Sequence, residues 1–401
     1  MKLHYTSTSI PGLSAAKVRD LSYFRFGENT IAIACDSSGS IGELEKDAFR
    51  ATSTEAGVNM VEVPLKEILS VGAKPLAVFL DFCYAKNSAA EDFIASVHQE
   101  LRSVGADVPV FVTFGTHKEP KYSALGLTIV ASVDEARLRI GTSQPGDLVY
   151  VIGLPINKDY FSLQTRTSVI AQILALDYVH EVLPCGSHGI LYEAKELAKT
   201  NGLEFCVGNN ALLNGQSGRS CGAAAAALIT VPAEKRAEFE SIPFPRELNL
   251  YGELRGEKES RPQADTEPPR EAAPIRVDSD GSIRFADGSI ISNAVAVSYG
   301  TGEQAEDTPV PGGVEAISLE LADAALHALE QKGSAPFLLI NDLNFGMEPL
   351  GRRTIKAIGE MLMQRDPNID LRAQFTGSTE DNFPTEQSGF AIHVFGLHGS
   401  N

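Results

Sequence analysis

Two stretches far apart in this chain read alike, and that repeat limits what it can fold into more than any other feature. Gly72-Ala-Lys-Pro-Leu-Ala-Val-Phe-Leu-Asp-Phe82 and Gly333-Ser-Ala-Pro-Phe-Leu-Leu-Ile-Asn-Asp-Leu343 match at a constant offset of 261 residues. In each, a glycine ends a helix, a proline leads into an apolar strand, and an aspartate (Asp81 or Asp342) closes the strand. Phe93-Ile94 falls opposite Thr354-Ile355 in the same register, Gly115 opposite Gly377 after one added residue, and Gly126 opposite Gly389 after two. Self-similarity over so long a period is the mark of a duplicated unit. On this alignment Ser298 is the counterpart of Asp36, and the acids Glu380 and Asp381 stand opposite a His-Lys-Glu loop at 117–119. Each copy therefore retains a different half of one site.

Within the first copy, Ile31–Asp36 is too short an apolar run for a helix and reads as a buried strand. Val61, Leu65, Ile68 and Leu69 have the spacing of an amphipathic helix, as do Phe93, Ile94, Val97 and Leu101. Strands are expected over 76–82, 108–114 and 125–133. A different unit follows: Pro145-Gly146-Asp147 introduces a strand over 148–152, a helix is expected over 165–178, and Pro184–Gly189 opens a helix that stops at Asn201-Gly202. The tract 252–274 is rich in Pro, Glu, Arg and Gly and nearly free of large apolar residues, so it reads as linker.

Composition narrows the function. The formal charge of −18 disfavours a nucleic-acid partner, because no basic stripe offsets it. An anionic ligand bridged by magnesium stays compatible, since the ion brings its own charge. The longest strongly apolar tract, 223–231, is far short of a membrane span, and no leader-like segment opens the chain; a soluble, cytoplasmic protein with a small-molecule substrate is expected. The five cysteines are odd in number with no C-x-x-C, which argues against a disulfide framework or zinc site.

Candidate site residues follow from side-chain chemistry. Gln374–Pro384 reads as a strand running into Thr-Gly-Ser-Thr and then two acids, offering backbone donors and carboxylates for a phosphate and its magnesium, although the same residues serve ordinary loops. Thr376, Gly377, Ser378 and Thr379 are the candidate phosphate donors. Glu380 and Asp381 either complete a metal shell or act as base, and Asn382 is a ligand contact. Asp36, at a strand exit beside Ser37, Ser38 and Gly39, is either a magnesium or phosphate-side acid or a turn cap. One of Asp81 and Asp342 is expected to bind metal and the other to cap its loop. Gly186, Ser187 and Gly189, with His188 between them, form a loop at a helix N-terminus, which is either an anion site or a capping turn.

With strand, Asp-Ser-Ser-Gly stretch, helix-Gly-x-x-Pro-strand and P-G-D-L-V-Y-V-I-G in this order, the first 250 residues resemble the aminoimidazole ribonucleotide synthetase-related superfamily. Ala34–Gly42, Gly186–Glu193, Met347–Gly351 and Thr376–Thr385 look most like the α-ribazole kinases of cobamide salvage. The resemblance implies an α/β (α+β) two-domain ATP-binding fold, with the N-terminal-type domain duplicated so that one chain forms an intrachain pseudo-dimer. The expected divisions are a first N-terminal-type domain over 1–142, a second, C-terminal-type domain over 143–251, a linker over 252–275 and a second N-terminal-type copy over 276–401. It further implies ATP and Mg2+ as cofactors, phosphorylation of the 5′-hydroxyl of a riboside, and a monomeric pseudo-dimer or a homodimer. Two departures from the family pattern stand out: 184–189 carries no acid, and the first copy lacks the Gly-Ser-Thr-Glu stretch.

Overall fold

The computed structural model describes residues 3–115, 120–156, 164–222, 224–257, 274–381 and 383–398. The expected His-Lys-Glu loop, Asn382 and most of the linker lie outside them.

Three sheets organise the chain. In the first, strands run in the order Thr6–Ser7, Leu13–Val18, Leu21–Phe26, Asn29–Gly39, Ala124–Ser132, Lys74–Phe82, Val110–Phe114. In the third the order is Arg276–Val277, Ile283–Arg284, Ile290–Tyr299, Gly389–His398, Ser334–Leu343, Phe375–Thr379. The last four strands of each list correspond in order and in direction: antiparallel, antiparallel, then parallel. Even the local irregularity recurs, with a register shift between Pro75 and Ala77 and another between Pro336 and Leu338. Proline cannot donate to the ladder, so each copy bends at the same point.

The pairing registers correct part of the sequence alignment. Asp81 lies opposite Gly126 and Asp342 opposite Ala391, so the structural partner of Gly126 is Ala391 rather than Gly389. Asp81 pairs with Thr113 and Asp342 with Ser378, which sets Gly115 against Glu380 instead of Gly377. Likewise Asp36 pairs with Leu127 where Ala296 pairs with Ile392, so Ala296, not Ser298, takes the place of Asp36. The insertions fall in the helix-to-strand connections, which glycine positions alone do not locate.

Helices Ser53–Ser70 and Ala90–Ser103 cover one face of the first sheet. Ser53–Ser70 begins where Thr52 and Glu55 cap each other's backbone N–H groups, a reciprocal capping box. Helices Gly313–Gln331 and Arg352–Arg365 do the same for the third sheet. The remaining faces pack on each other: Phe24, Phe26, Ile33, Phe79 and Val130 meet Phe285, Phe337, Ile340 and Phe395 in one core. The rings of Phe24 and Phe337 are 4.5 Å apart, and those of Phe79 and Phe395 5.4 Å apart, within the range of favourable aromatic contacts.

The middle sheet is wholly antiparallel, in the order Glu181–Cys185, Ala226–Val231, Leu148–Ile152, Leu248–Arg255, Glu204–Val207. Helix Ile190–Asn201 packs on one face and Thr167–Leu174 on the other. Strand Leu248–Arg255 runs into the stretch expected to be linker, because Leu254 is a buried core residue. This unit docks on helix Ser53–Ser70, where Lys66 Nζ bonds Glu62 and the Ala224 carbonyl, each at 3.3 Å, and Arg166 reaches Glu62 at 3.1 Å. Among the described residues no helix is long and apolar enough to cross a membrane.

Because the inner face of the first sheet is covered only by the second copy, a chain ending at Gly256 should expose Phe24, Phe26 and Phe79 and associate. Size-exclusion chromatography should show aggregates or a dimer; a well-behaved monomer would contradict this account of the packing.

Candidate active site

The expected phosphate loops are strands. Asp36 to Gly39 continue strand Asn29–Gly39, paired with Leu127 to Ala124. Thr376 to Thr379 form the parallel edge strand beside Ser334–Leu343. Gly377 is needed for that approach, since a Cβ there would lie 2.1 Å from the Asn341 carbonyl oxygen. The run of small residues reflects strand packing, and its side chains, not a cradle of backbone N–H groups, face the site.

Those side chains cross from one copy to the other. Ser378 Oγ donates to Asp36 Oδ1 at 3.0 Å, and the Gly39 N–H donates to Glu380 Oε2 at 3.3 Å. Gly39 lets Glu380 approach, because a Cβ there would stand 3.2 Å from the glutamate Cγ. Ser37 Oγ donates to the Leu343 carbonyl at 3.3 Å, while Lys17 Nζ donates to Thr376 Oγ1 at 3.0 Å. Ser38 is buried in the same strand. Asp36, Glu380, Thr376 and Ser378 are thus brought together from distant parts of the sequence.

Other candidates go elsewhere. Asp381 is exposed, and it accepts the Met347 N–H at 2.7 Å and the Thr379 hydroxyl at 3.0 Å; it holds its own loop. Asp81 and Asp342 both lie in the seam between the sheets. His393 Nδ1 is 3.3 Å from Asp81 Oδ2, and Asp342 Oδ2 sits 2.9 Å from where a Cβ on Gly126 would be. Residues at strand ends need not reach a cleft when two sheets close over them. Among the described residues no three His, Cys, Asp or Glu side chains are grouped so as to hold a metal ion by themselves. Magnesium in phosphoryl-transfer sites commonly takes one or two carboxylates and completes its shell with phosphate and water, so Asp36 and Glu380 fit that smaller demand.

The site has a wall that no motif announced. The hairpin turn at Arg19 and Asp20, between strands Leu13–Val18 and Leu21–Phe26, projects toward the middle domain. Arg19 has a left-handed backbone, φ 56°, and bonds Glu181 at 2.5 Å. Its side chain is 8% exposed, and among the described residues Nε and Nη1 have no partner. Glu67 Oε2 is also buried without one among those residues. Gly186 to Gly189 link strand Glu181–Cys185 to helix Ile190–Asn201, whose N-terminus has no side-chain cap; Ser187 and His188 are exposed.

Electrostatics join these parts. Burial pushes the Asp36 carboxyl up to about 7, with the negative charges of Glu380 and Asp20 adding to it and the hydrogen bonds from Ser378 and Ser37 opposing it. Glu193, in the first turns of the helix after Gly189, is likewise raised to about 7, first by burial and then by Asp20, while the Gly186 N–H opposes the rise. Glu67 is held well above the usual carboxylate range by burial, Asp20 and Asp36. Asp342 is also held well above it, by burial and then by Asp36 and Asp81. The orphaned Arg19 donors and the reluctant Asp36, Glu67 and Glu193 carboxylates, all within the field of the 19–20 turn, suit a ligand that carries both oxygen acceptors and a cation.

The architecture is that of the aminoimidazole ribonucleotide synthetase-like fold, here with two N-terminal-type units and one C-terminal-type unit in a single chain. Among solved structures, PurL of Thermotoga maritima in complex with ATP is similar at 12% identity over 99% of this chain and 75% of that one, with a TM-score of 0.59. Phosphoribosylformylglycinamidine synthase II from Thermotoga maritima matches at 11% identity over 99% of this chain and 75% of that one, with a TM-score of 0.58. PurLQS from the same organism covers 97% of this chain and 75% of its own at 12% identity, with a TM-score of 0.56. No family model matches the chain, and no curated protein matches it by sequence.

The raised Asp36 carboxyl has a consequence for stability. Between an ordinary aspartate value near ~4 and about 7, the folded chain binds more protons at this position than the unfolded chain. Stability is therefore withdrawn as pH rises through that window. Asp36→Asn removes the titration, so its melting temperature should gain on wild type from pH 4 to pH 8. A gap that does not change with pH would contradict the burial of Asp36.

Proposed function

We propose that the protein is an ATP-dependent phosphotransferase that transfers the γ-phosphate to the 5′-hydroxyl of a riboside, with α-ribazole the leading acceptor, in the cytoplasm. The observation that carries this reading is the Asp36–Ser378 bond beside Glu380. It joins a carboxylate of one copy to the Thr-Gly-Ser-Thr-Glu segment of the other, the two stretches on which the kinase resemblance rests.

Phosphoryl transfer asks a protein mainly for positioning and charge stabilisation. Bound ATP would supply the phosphoryl group, and magnesium would be held by Asp36 and Glu380. Lys17 and Arg19 offer cationic donors to phosphate oxygens. Ser378 orients the Asp36 carboxylate, and a bound cation would hold that carboxylate ionised. The hairpin turn at 19–20 and the 186–189 loop wall the cleft and restrict water.

A second reading is activation of an amide oxygen by phosphorylation, and the fold likeness to phosphoribosylformylglycinamidine synthase is what favours it. Products distinguish the two. Protein incubated with ATP, magnesium and α-ribazole should form a riboside phosphate in step with ADP, read by mass spectrometry. Free phosphate appearing with a dehydrated product from an amide substrate would favour the second reading, and ATP bound but unconsumed across a riboside panel would leave a nucleotide-binding protein without this activity. Asp36→Asn and Glu380→Gln should each lower turnover by roughly two to three orders of magnitude while far-ultraviolet circular dichroism stays that of wild type. Wild-type turnover in both would place the chemistry elsewhere.

A further inference from the structure

Tyr192 is 47% exposed, the only exposed tyrosine or phenylalanine among the described residues. It lies in the first turn of helix Ile190–Asn201, one helical turn from His188, and the two rings stack with centroids 4.6 Å apart and planes at 28°. The backbone beneath them is fixed on two sides. Gly189, at φ 82°, packs so closely on the 217–219 loop that a Cβ would come within 2.6 Å of the Arg219 carbonyl oxygen. Leu191 N–H donates to the Ser217 carbonyl at 3.0 Å, and Cys221 N–H to the Gly186 carbonyl at 3.1 Å.

A stacked pair of rings on a fixed loop, both of them open to solvent, offers a flat surface of defined orientation. Flat surfaces of this kind take planar rings, because every nucleobase has a π-face and stacking is tolerant of its identity. The next helical residue, Glu193, is buried and close enough to Gly186 that a Cβ on that glycine would lie 3.9 Å from Oε1. Glu193 feels the charges of Asp20 and Arg19, and Asp36 feels that of Asp20. The segment that carries the platform and the strand that carries Asp36 therefore share the Arg19–Asp20 turn as a charged neighbour.

We propose that His188 and Tyr192 form the stacking platform for the heteroaromatic base of the ligand bound in this cleft, a riboside or nucleotide whose ribosyl end points toward the Arg19–Asp20 turn and Asp36. This rests on the phosphotransferase reading for the identity of the cleft. The ring belongs either to the acceptor or to ATP, and the test separates these sources.

The chain contains no tryptophan, so Tyr192→Trp places a single reporter on the platform. The reporter is titrated with benzimidazole riboside, with ATP and magnesium, and with ribose 5-phosphate, while calorimetry measures the same ligands on wild type, Tyr192→Ala and Tyr192→Phe. Saturable quenching by a base-bearing ligand but not by ribose 5-phosphate supports the platform, and the ligand that quenches identifies the source of the ring. Tyr192→Ala should weaken that ligand about tenfold or more, in keeping with loss of one base–aromatic stack, and Tyr192→Phe should bind like wild type. Binding seen by calorimetry with no response at the reporter, or equal affinity for Tyr192→Ala and wild type, would overturn the platform alone. Quenching by a base without any phosphoryl transfer would overturn the reaction and leave the platform standing. No binding of any of the three ligands would overturn both.

Discussion

Each of the two repeated sheets has helices on one side only, and everything else in the molecule depends on what covers the other side. Phe24, Phe26, Phe79 and Ile33 on one sheet and Phe285, Phe337, Phe395 and Ile340 on the other bury that face together. Side chains of this size gain on the order of 1.5 to 3 kcal/mol each when removed from water, so neither sheet is satisfied alone. The seam fixes the relative position of the copies, and with it the distance from Asp36 on one to Ser378 and Glu380 on the other. The cleft is a by-product of core packing before it is anything else.

That origin explains why matched residues have unmatched surroundings. Asp81 and Asp342 occupy the same place in their sheets, yet one meets His393 and the other meets Gly126 and carries the field of Asp36. The middle domain adds a further asymmetry. It docks on helix Ser53–Ser70 through buried Glu62 and Lys66, whereas the corresponding helix Gly313–Gln331 keeps Asp323 and His327 exposed. Asp323 is engaged instead by Arg365 at 2.6 Å.

Much of the architecture could be read in the sequence, because a strand that ends in Asp after a Gly-x-x-Pro start leaves the same apolar pattern wherever it is copied. Strand Leu148–Ile152 and the helix from Ile190 fall where periodicity and capping glycines put them. Helix Ser53–Ser70 starts earlier than its apolar spacing implied, although Thr52 and Glu55 spelled out the cap. The Ser-Ser-Gly and Thr-Gly-Ser-Thr runs looked like loops because small polar residues favour turns; here they are strands whose small side chains let another backbone or Glu380 come close. Asp36 and Glu380 were legible as acids that each copy has and the other lacks, and the seam brings them near each other. Arg19, Asp20, Glu67 and Glu193 were not, since no local spacing relates a hairpin turn, a helix face and the first turns of another domain's helix.

Joining both sheets in one chain also changes how the molecule responds to dilution. A seam made between separate subunits has a stability that falls with protein concentration. Here the partner face is tethered, so its effective concentration is set by the intervening polypeptide and not by how much protein is present. Substitutions on the two faces of this seam are likewise inherited independently: a change in Phe79 is not forced to appear at its counterpart, Ile340. A symmetric assembly must accept every change twice, whereas this chain is free to keep an acid on one side and a hydroxyl on the other.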